Sequence, residues 1–127
     1  MNWFKRARRK EVWDEAIEAP LGDIEAAKRI RDICRSAADS AERVGAAADR
    51  SHNKIKHEVE RYERAARAAM EIAMTVSDEL LRDAAVRQIV ELCLKAGNGV
   101  TAKTLFRAIQ SKAIRDDLLR ENPQLRQ

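Results

Sequence analysis

The pentapeptide Asp-Arg-Ser-His-Asn at residues 49–53 interrupts a long amphipathic stretch and decides how that stretch folds. Between Ile24 and Val76, small and apolar residues recur at three- and four-residue steps, the pattern of a helix with one buried face. Five weak helix formers in a row favour a turn, whereas the heptad phase continues through them unchanged. A single helix of this length would extend about 80 Å and need a coiled-coil partner. We therefore favour a hairpin that turns near residues 49–53 over one continuous helix.

The heptad register places small and apolar residues at both seam positions of this stretch. One position holds Ala27, Cys34, Ala41, Ala48, Ile55, Tyr62, Ala69 and Val76, and the other holds Ile30, Ala37, Val44, Ala65 and Ile72. The many alanines predict closely packed helices. The same heptads suit an intramolecular antiparallel hairpin or a homodimeric coiled coil, so the oligomeric state stays open.

Composition points to an all-helical protein. The chain has 127 residues, a length that suits one domain, and 36% of them are charged. Four Gly and two Pro provide little material for the tight turns of a β-sandwich, a β-barrel or a Gly-rich phosphate loop. The composition therefore favours a helical bundle over those architectures.

Shorter helices are predicted on both sides of the hairpin. On the N-terminal side, residues 11–19 predict a short helix that Pro20 stops. On the C-terminal side, Ser77 is the expected cap of a helix that runs to Lys95, with a polar stripe of Asp83, Arg87, Glu91 and Lys95. After Gly97, Thr101 is expected to cap a last helical region that closes at residues 122–123. The prediction is an all-α bundle of about five helices, in which the long Ala-rich antiparallel hairpin (or coiled coil) packs on a C-terminal helical pair.

The domain boundaries follow from these elements. Residues 1–10 form a basic aromatic N-terminal arm, residues 11–121 a single all-helical domain, and residues 122–127 a tail that we expect to fray.

A weak internal repeat links the later segments at a constant offset of about 33 residues, the period of helical-hairpin solenoids. The offset pairs Ala69 with Ala102, Ile72 with Leu105, Val76 with Ile109, Leu81 with Ile114, and Arg82-Asp83 with Arg115-Asp116.

Residues 86–109 also resemble the inter-helix turn of a tetratricopeptide repeat. Gly97 stands at the turn, Ala102 is the small residue where the helices cross, and Phe106 follows one turn later. The resemblance implies a stacked helix pair and a protein-binding role. An ordinary antiparallel helix pair with a Gly turn has the same features.

The N-terminal arm is the sharpest local feature of the sequence. The candidate contact residues are Trp3, Phe4, Lys5, Arg6, Arg8, Arg9 and Lys10, followed by Trp13. Lys and Arg attract anionic headgroups or phosphates, while indole rings prefer a membrane interface. The alternative is that Trp13 and Ile17 belong to the core, that Trp3 and Phe4 cover another hydrophobic patch, and that the cations are solvated or pair with nearby acids.

The net charge is confined to this arm. Residues 1–10 contain five basic and no acidic residues, so the remainder has 25 − 5 = 20 basic against 21 acidic residues, a net −1. The body therefore lacks the basic excess that nucleic-acid binding requires, and a helix-turn-helix over residues 86–109 would offer only Lys103 and Arg107 as cations. We do not expect nucleic acid as a partner.

The sequence contains no arrangement of residues that is typical of a catalytic or metal-binding site. His52 and His57 are five positions apart, which places them on different helix faces, so no metal is expected. Cys34 and Cys93 are interpreted as reduced core residues, and Glu60/Arg64 and Glu63/Arg67 as surface pairs within one helix. We expect no enzyme and no cofactor.

Taken together, the sequence predicts a non-enzymatic helical module for protein–protein interaction or scaffolding, with a protein partner. The alternative is a peripheral binder of an anionic membrane or another polyanion through the basic N-terminal arm. Because no signal peptide or membrane span is recognised, we expect a cytoplasmic protein, peripheral at the membrane in the second case.

Overall fold

A computed structural model of the protein describes residues 10–17, 20–47 and 52–126, with backbone only for residues 52–54. The α-helices are α1 (Asp23–Ala47), α2 (His52–Ala73), α3 (Glu79–Lys95), α4 (Gly99–Ala108) and α5 (Lys112–Glu121). Two 3-10 helices, Val12–Asp14 and Pro123–Arg126, flank them, and no strand occurs in these ranges. The predicted all-α bundle is confirmed.

The long amphipathic stretch forms two helices that pack against each other as an antiparallel hairpin. Ser40 of α1 meets Glu58 and Arg61 of α2, and at the other end of the pair Asp23 meets Ser77, just beyond α2. The hairpin expectation is therefore correct, with α1 ending and α2 beginning on either side of residues 48–51.

An alanine seam joins the two long helices. Ala37, Ala41, Ala65 and Ala69 are fully buried, as the heptad register predicts. The N-terminal half of α1 departs from that register, since Ile33 is fully buried while Cys34 is only partly so. The reason is that α1 packs on α3 as well as on α2, which requires a wider buried stripe than a single coiled-coil seam.

Side-chain caps set the boundaries of the shorter helices. Asp78, one residue after the predicted Ser77, caps α3 by accepting a hydrogen bond from the Leu81 backbone N–H at 2.9 Å. Asn98 caps α4 in the same way by accepting from Thr101, so Thr101 lies inside the helix rather than capping it. In both cases the residue three positions before the donating N–H supplies the oxygen, which is the usual N-cap geometry.

Gly97 ends α3 as predicted. Its φ of 73° lies in the left-handed region, where a residue without Cβ carries no steric penalty. The Gly97 N–H bonds to the Leu94 carbonyl and the Asn98 N–H bonds to the Cys93 carbonyl, which together form a Schellman motif. Asn98 also donates to the Tyr62 hydroxyl at 3.0 Å and so ties this turn to α2.

Three expectations for the ends of the chain are corrected. Of the helix predicted at residues 11–19, the described residues 11–17 form only the 3-10 helix Val12–Asp14, because Arg61 and Arg64 of α2 hold the side chains of Glu11 and Asp14. The last helical region divides into α4 and α5, because Ile109 is extended and Ser111 starts a new helix as its cap. The predicted fraying tail is a 3-10 helix whose Leu125 is buried, because its apolar side chain reaches the core beside α4 and α5.

The turns between α2 and α3 and between α4 and α5 share one hydrogen-bond pattern, at the spacing of the internal repeat. In each turn an aspartate of another helix accepts two consecutive backbone N–H groups, and an arginine donates to the carbonyl six residues before it. The aspartate pairs are Asp23 with Ser77 and Asp78, and Asp83 with Gln110 and Ser111; the arginine pairs are Arg82 with Val76, and Arg115 with Ile109.

Candidate interaction surface

The predicted contact residues of the N-terminal arm fall largely outside the described part of the chain. This is the case for Trp3, Phe4, Lys5, Arg6, Arg8 and Arg9. Lys10 is described and exposed. Trp13 is 7% exposed, so little of its ring is open to solvent, and its contact with a membrane or partner stays a prediction. Its place is in the core, which was the alternative.

Ion pairs hold the segment that carries Trp13. Arg61 of α2 donates from Nε to Glu11 Oε2 at 2.8 Å and from Nη2 to Glu11 Oε1 at 3.1 Å. Arg64 pairs with Asp14 at 2.5 Å. The hydrogen bond from Arg61 lowers the pKa of the Glu11 carboxyl below its ordinary value. Arg64 thus binds a residue far away in the sequence and not Glu60, its predicted partner on the same helix.

Ser40 extends this network into the hairpin. Its hydroxyl is fully buried, donates to Glu58 Oε1 at 2.7 Å and accepts from Arg61 Nη1 at 2.5 Å. The hydrogen bond from Ser40 lowers the pKa of Glu58. This network locks residues 11–14 and the middle of the hairpin together, so it has a structural role and leaves the opposite end of α2 to be considered as a site.

That end of the bundle is formed by residues 15–17, 20–25 and 71–80, where α1 begins, α2 ends and α3 begins. We call it the acidic end, because these residues include six acidic side chains and no Lys or Arg. The acids are Glu15, Asp23, Glu25, Glu71, Asp78 and Glu79. Asp23 fixes the arrangement, since its two carboxylate oxygens accept the Ser77 and Asp78 N–H groups at 2.9 Å each. These hydrogen bonds, with that from Ser77 first, lower the pKa of Asp23.

Exposed apolar side chains gather at the acidic end. Ile17, Ile24, Met74 and Leu80 lie there, and each is at least 50% exposed. Large apolar side chains that share one exposed region mark surfaces for association, whereas scattered ones carry no such meaning. Among the described residues only Val100, at the opposite end of the bundle, is a further large apolar side chain with this degree of exposure.

A cavity of about 420 Å³ opens at the acidic end between α1, α2 and the segment that precedes α1. Apolar lining comes from Trp13, Ile17, Pro20, Leu21, Ala68 and Ile72, with Thr75, and the charged side chains are Glu15, Arg29 and Glu71. A volume in this range suits a small ligand or a large side chain of a partner.

Two buried donors of the cavity walls lack acceptors. The Trp13 indole N–H and the Arg29 Nε–H are both buried and have no hydrogen-bond partner among the residues that the structure describes. The Arg29 Nη2 donates to the backbone carbonyl of Glu15, which holds the segment before α1 in place. A buried donor without an acceptor costs about 1–3 kcal/mol.

A second cavity of about 470 Å³ lies beside the first and shares Glu15, Leu21 and Arg29 with it. Its other charged walls are Glu25, Lys28, Asp32 and Arg35, so both signs are represented. This mixture points to a solvated groove more than to a selective site.

The described ranges contain no group of three or more His, Cys, Asp or Glu side chains that could hold a metal ion. Each helix described is too short or too polar to cross a lipid bilayer. Burial raises the pKa of the Cys34 thiol to about 12 and raises that of Cys93 as well, and both cysteines are free. Neither thiol is therefore an activated nucleophile at neutral pH.

Comparison of the chain with known protein families, with curated proteins and with solved structures gave no match. The residues and geometry of the chain itself therefore carry the functional argument.

Sequence reasoning missed the acidic end. A signal for it exists, because residues 15–25 and 71–80 contain seven acidic residues and no basic ones. The two segments lie far apart in the chain, and only the hairpin with the Asp23 bonds to Ser77 and Asp78 brings them together.

Proposed function

We propose that the protein is a non-enzymatic helical interaction module that binds a basic, apolar segment of a protein partner at the acidic end. The observation that carries the proposal is that Ile17, in the cavity wall, and Ile24, Met74 and Leu80 are all exposed at this end of the bundle. Burying such side chains against a partner releases about 25 cal/mol per Å² of apolar surface. The carboxylates of the acidic end favour a partner with positive charge.

Charge contributes to specificity here more than to affinity. The six carboxylates outnumber the neighbouring cations Arg29 and Arg82, so they repel acidic chains and steer basic ones toward the cavity. The protonated state of both cysteines at neutral pH supports binding over covalent catalysis.

The test uses a labelled synthetic peptide in which Lys and Arg alternate with Trp, Phe and Leu, titrated with the full chain by fluorescence anisotropy. We expect Ile24→Ser and Leu80→Ser to weaken binding by about tenfold, because each removes apolar contact area. Val100→Ser is the matched control: it removes an equally exposed apolar side chain at the opposite end and should leave binding unchanged. Equal loss in all three variants would contradict the proposal.

A second candidate function is peripheral binding of an anionic membrane through the N-terminal arm. Lys10 is exposed, so the arm joins the described fold at its surface. Tryptophan emission measured with anionic vesicles tests this role. A blue shift that salt reverses, that Trp3→Phe removes and that neutral vesicles do not cause would support it. An unchanged spectrum would exclude it.

We also propose that the α2–α3 and α4–α5 regions are two copies of one helical unit, consistent with a degenerate tetratricopeptide-like repeat. The shared hydrogen bonds at the two turns support this view. The location that fits an interaction module of this kind is the cytoplasm, at the membrane surface if the second candidate holds.

A further inference from the structure

We infer that the occupant of the acidic end is the N-terminal arm, residues 1–10, of a second copy of this chain. The inference rests on the proposed function of the acidic end and names its partner. It predicts a head-to-tail contact, in which the arm of one copy lies against the start of α1 and the end of α2 of the next.

Charge complementarity is the first argument. The arm contains five cations and no acid, whereas the acidic end contains six acids, with Arg29 in the cavity wall and Arg82 beside Glu79 as neighbouring cations. The rest of the chain carries 25 − 5 = 20 basic and 21 − 6 = 15 acidic residues, a net +5 in which both signs are interspersed. Attraction between exposed charges acts over about 10 Å at 0.1 M salt, which is enough to orient an approaching arm.

Apolar fit is the second argument. Trp3 and Phe4 stand next to the cations of the arm, and the acidic end offers a cavity of about 420 Å³ with exposed Ile17 at its edge. A large aromatic side chain suits a cavity of this size and adds contact area at small entropic cost. Aromatic residues flanked by Arg are also the usual anchors of protein interfaces.

Geometry favours the arm of another copy over the arm of the same chain. Lys10 adjoins Glu11, which is fixed to Arg61, whereas Glu71 of the acidic end lies ten residues further along α2, or about 15 Å away. In the same chain the arm would have to double back, and its cations nearest Glu11 would stay remote from Glu71 and Glu79. An arm from a second copy can align all of its cations with the acids.

Such a contact joins different surfaces of the two copies. A dimer therefore still has one free arm and one free acidic end. Heterologous contacts of this kind form open chains or rings, and the average mass rises with protein concentration. Sedimentation velocity of the full chain over a range of concentrations should therefore show reversible association at low salt, and raised salt should weaken it.

A charge exchange provides the decisive test. Arg6→Glu with Arg9→Glu lowers the charge of the arm from +5 to +1. Glu25→Lys with Glu71→Lys lowers that of the acidic end from −6 to −2, and both carboxylates are exposed. We expect each double variant alone to be monomeric and an equimolar mixture of the two to associate, because the unmodified arm of the second variant then meets the unmodified acidic end of the first. Trp3→Ala should weaken the association of the unmodified chain.

Three outcomes would overturn the inference: a monomer at every concentration and salt, association that survives the two Glu→Lys changes at the acidic end, or a mixture that stays monomeric. Anisotropy with a labelled peptide of residues 1–10 separates this failure from failure of the proposed function. If the arm peptide does not bind but the alternating basic–apolar peptide does, the acidic end is a docking surface with a different occupant.

Discussion

The guanidinium of Arg61 lies over the ring of Trp13, with Cζ 5.1 Å from the ring centroid, while the same group grips both carboxylate oxygens of Glu11. One side chain of α2 thus fixes the segment that forms a wall of the cavity at the acidic end. Planarity makes this double role feasible, because a guanidinium can stack on a ring and donate in its own plane at once.

We expect Arg61→Ala to lower the free energy of unfolding by about 1–3 kcal/mol, since it removes a cation–π contact and leaves Glu11 and Ser40 without their shared donor. Urea unfolding followed by circular dichroism measures the change. Arg61→Lys should recover only part of it, because an ammonium group cannot bind bidentately. Arg43→Ala is the control, and it should cost less than about 1 kcal/mol because Arg43 is 63% exposed.

Asp83 should be critical for the α4–α5 turn. Its buried carboxylate accepts the Gln110 and Ser111 N–H groups at 3.2 and 2.8 Å. Asp83→Ala removes both acceptors and is expected to destabilise the fold by about 1–3 kcal/mol in urea unfolding. Asp116→Ala, at the position that the internal repeat pairs with Asp83, removes an exposed carboxylate that bonds Lys112 and should have a much smaller effect. Equal effects of the two changes would refute this role of Asp83.

Stability should fall at acid pH through Glu11 and Glu58. Hydrogen bonds from Arg61 and Ser40, respectively, hold the pKa of these carboxyls below the ordinary value of 4.5. The unfolded chain therefore binds protons at a higher pH than the folded one, so their contribution is complete above pH 4.5 and is lost as the pH falls through the lowered values. Ser40→Ala should make the decline shallower, as measured by urea unfolding at several pH values. A slope unaffected by this change would show that Glu58 is not coupled to folding in this way.

Replacing Gly45 by a larger residue should destabilise the fold. A Cβ atom at this position of α1 would overlap the backbone carbonyl oxygen of Lys95, at the end of α3. Gly45→Ala is therefore expected to destabilise the protein by about 1–3 kcal/mol, although the same change in an open helix stabilises by about 1 kcal/mol. Gly99→Ala, with nothing within 4 Å of the added atom, is the matched control and should be close to neutral in thermal unfolding.

The local patterns of the sequence predicted the helices well, because apolar spacing and turn residues act over a few positions. The buried alanines of the hairpin and the left-handed Gly97 follow directly from such patterns. Contacts over long separations were not predictable in this way. Asp83 was placed on a polar stripe, yet it is buried because a distant turn, that between α4 and α5, supplies two N–H donors.

The same dependence on distant contacts explains why the candidate site was not predicted from the sequence. The sequence neighbours of Trp13 left open whether it is a core or a contact residue. Its burial depends on Arg61 and Arg64, which lie on α2, far along the chain. The acidic end combines two segments that no spacing rule connects. By contrast, the N-terminal arm is contiguous, so its composition was evident from the sequence even though its predicted contacts are untested.

The alanine seam between α1 and α2 also has a consequence for how this protein can change. Ala37, Ala41, Ala65 and Ala69 leave no room for larger side chains, so the positions that set the shape of the hairpin tolerate few alternatives. Ile24 and Leu80, by comparison, point into solvent and are free to vary. The residues that set the fold and those of the proposed binding surface are therefore separable, so the acidic end can change in sequence while the seam stays constant.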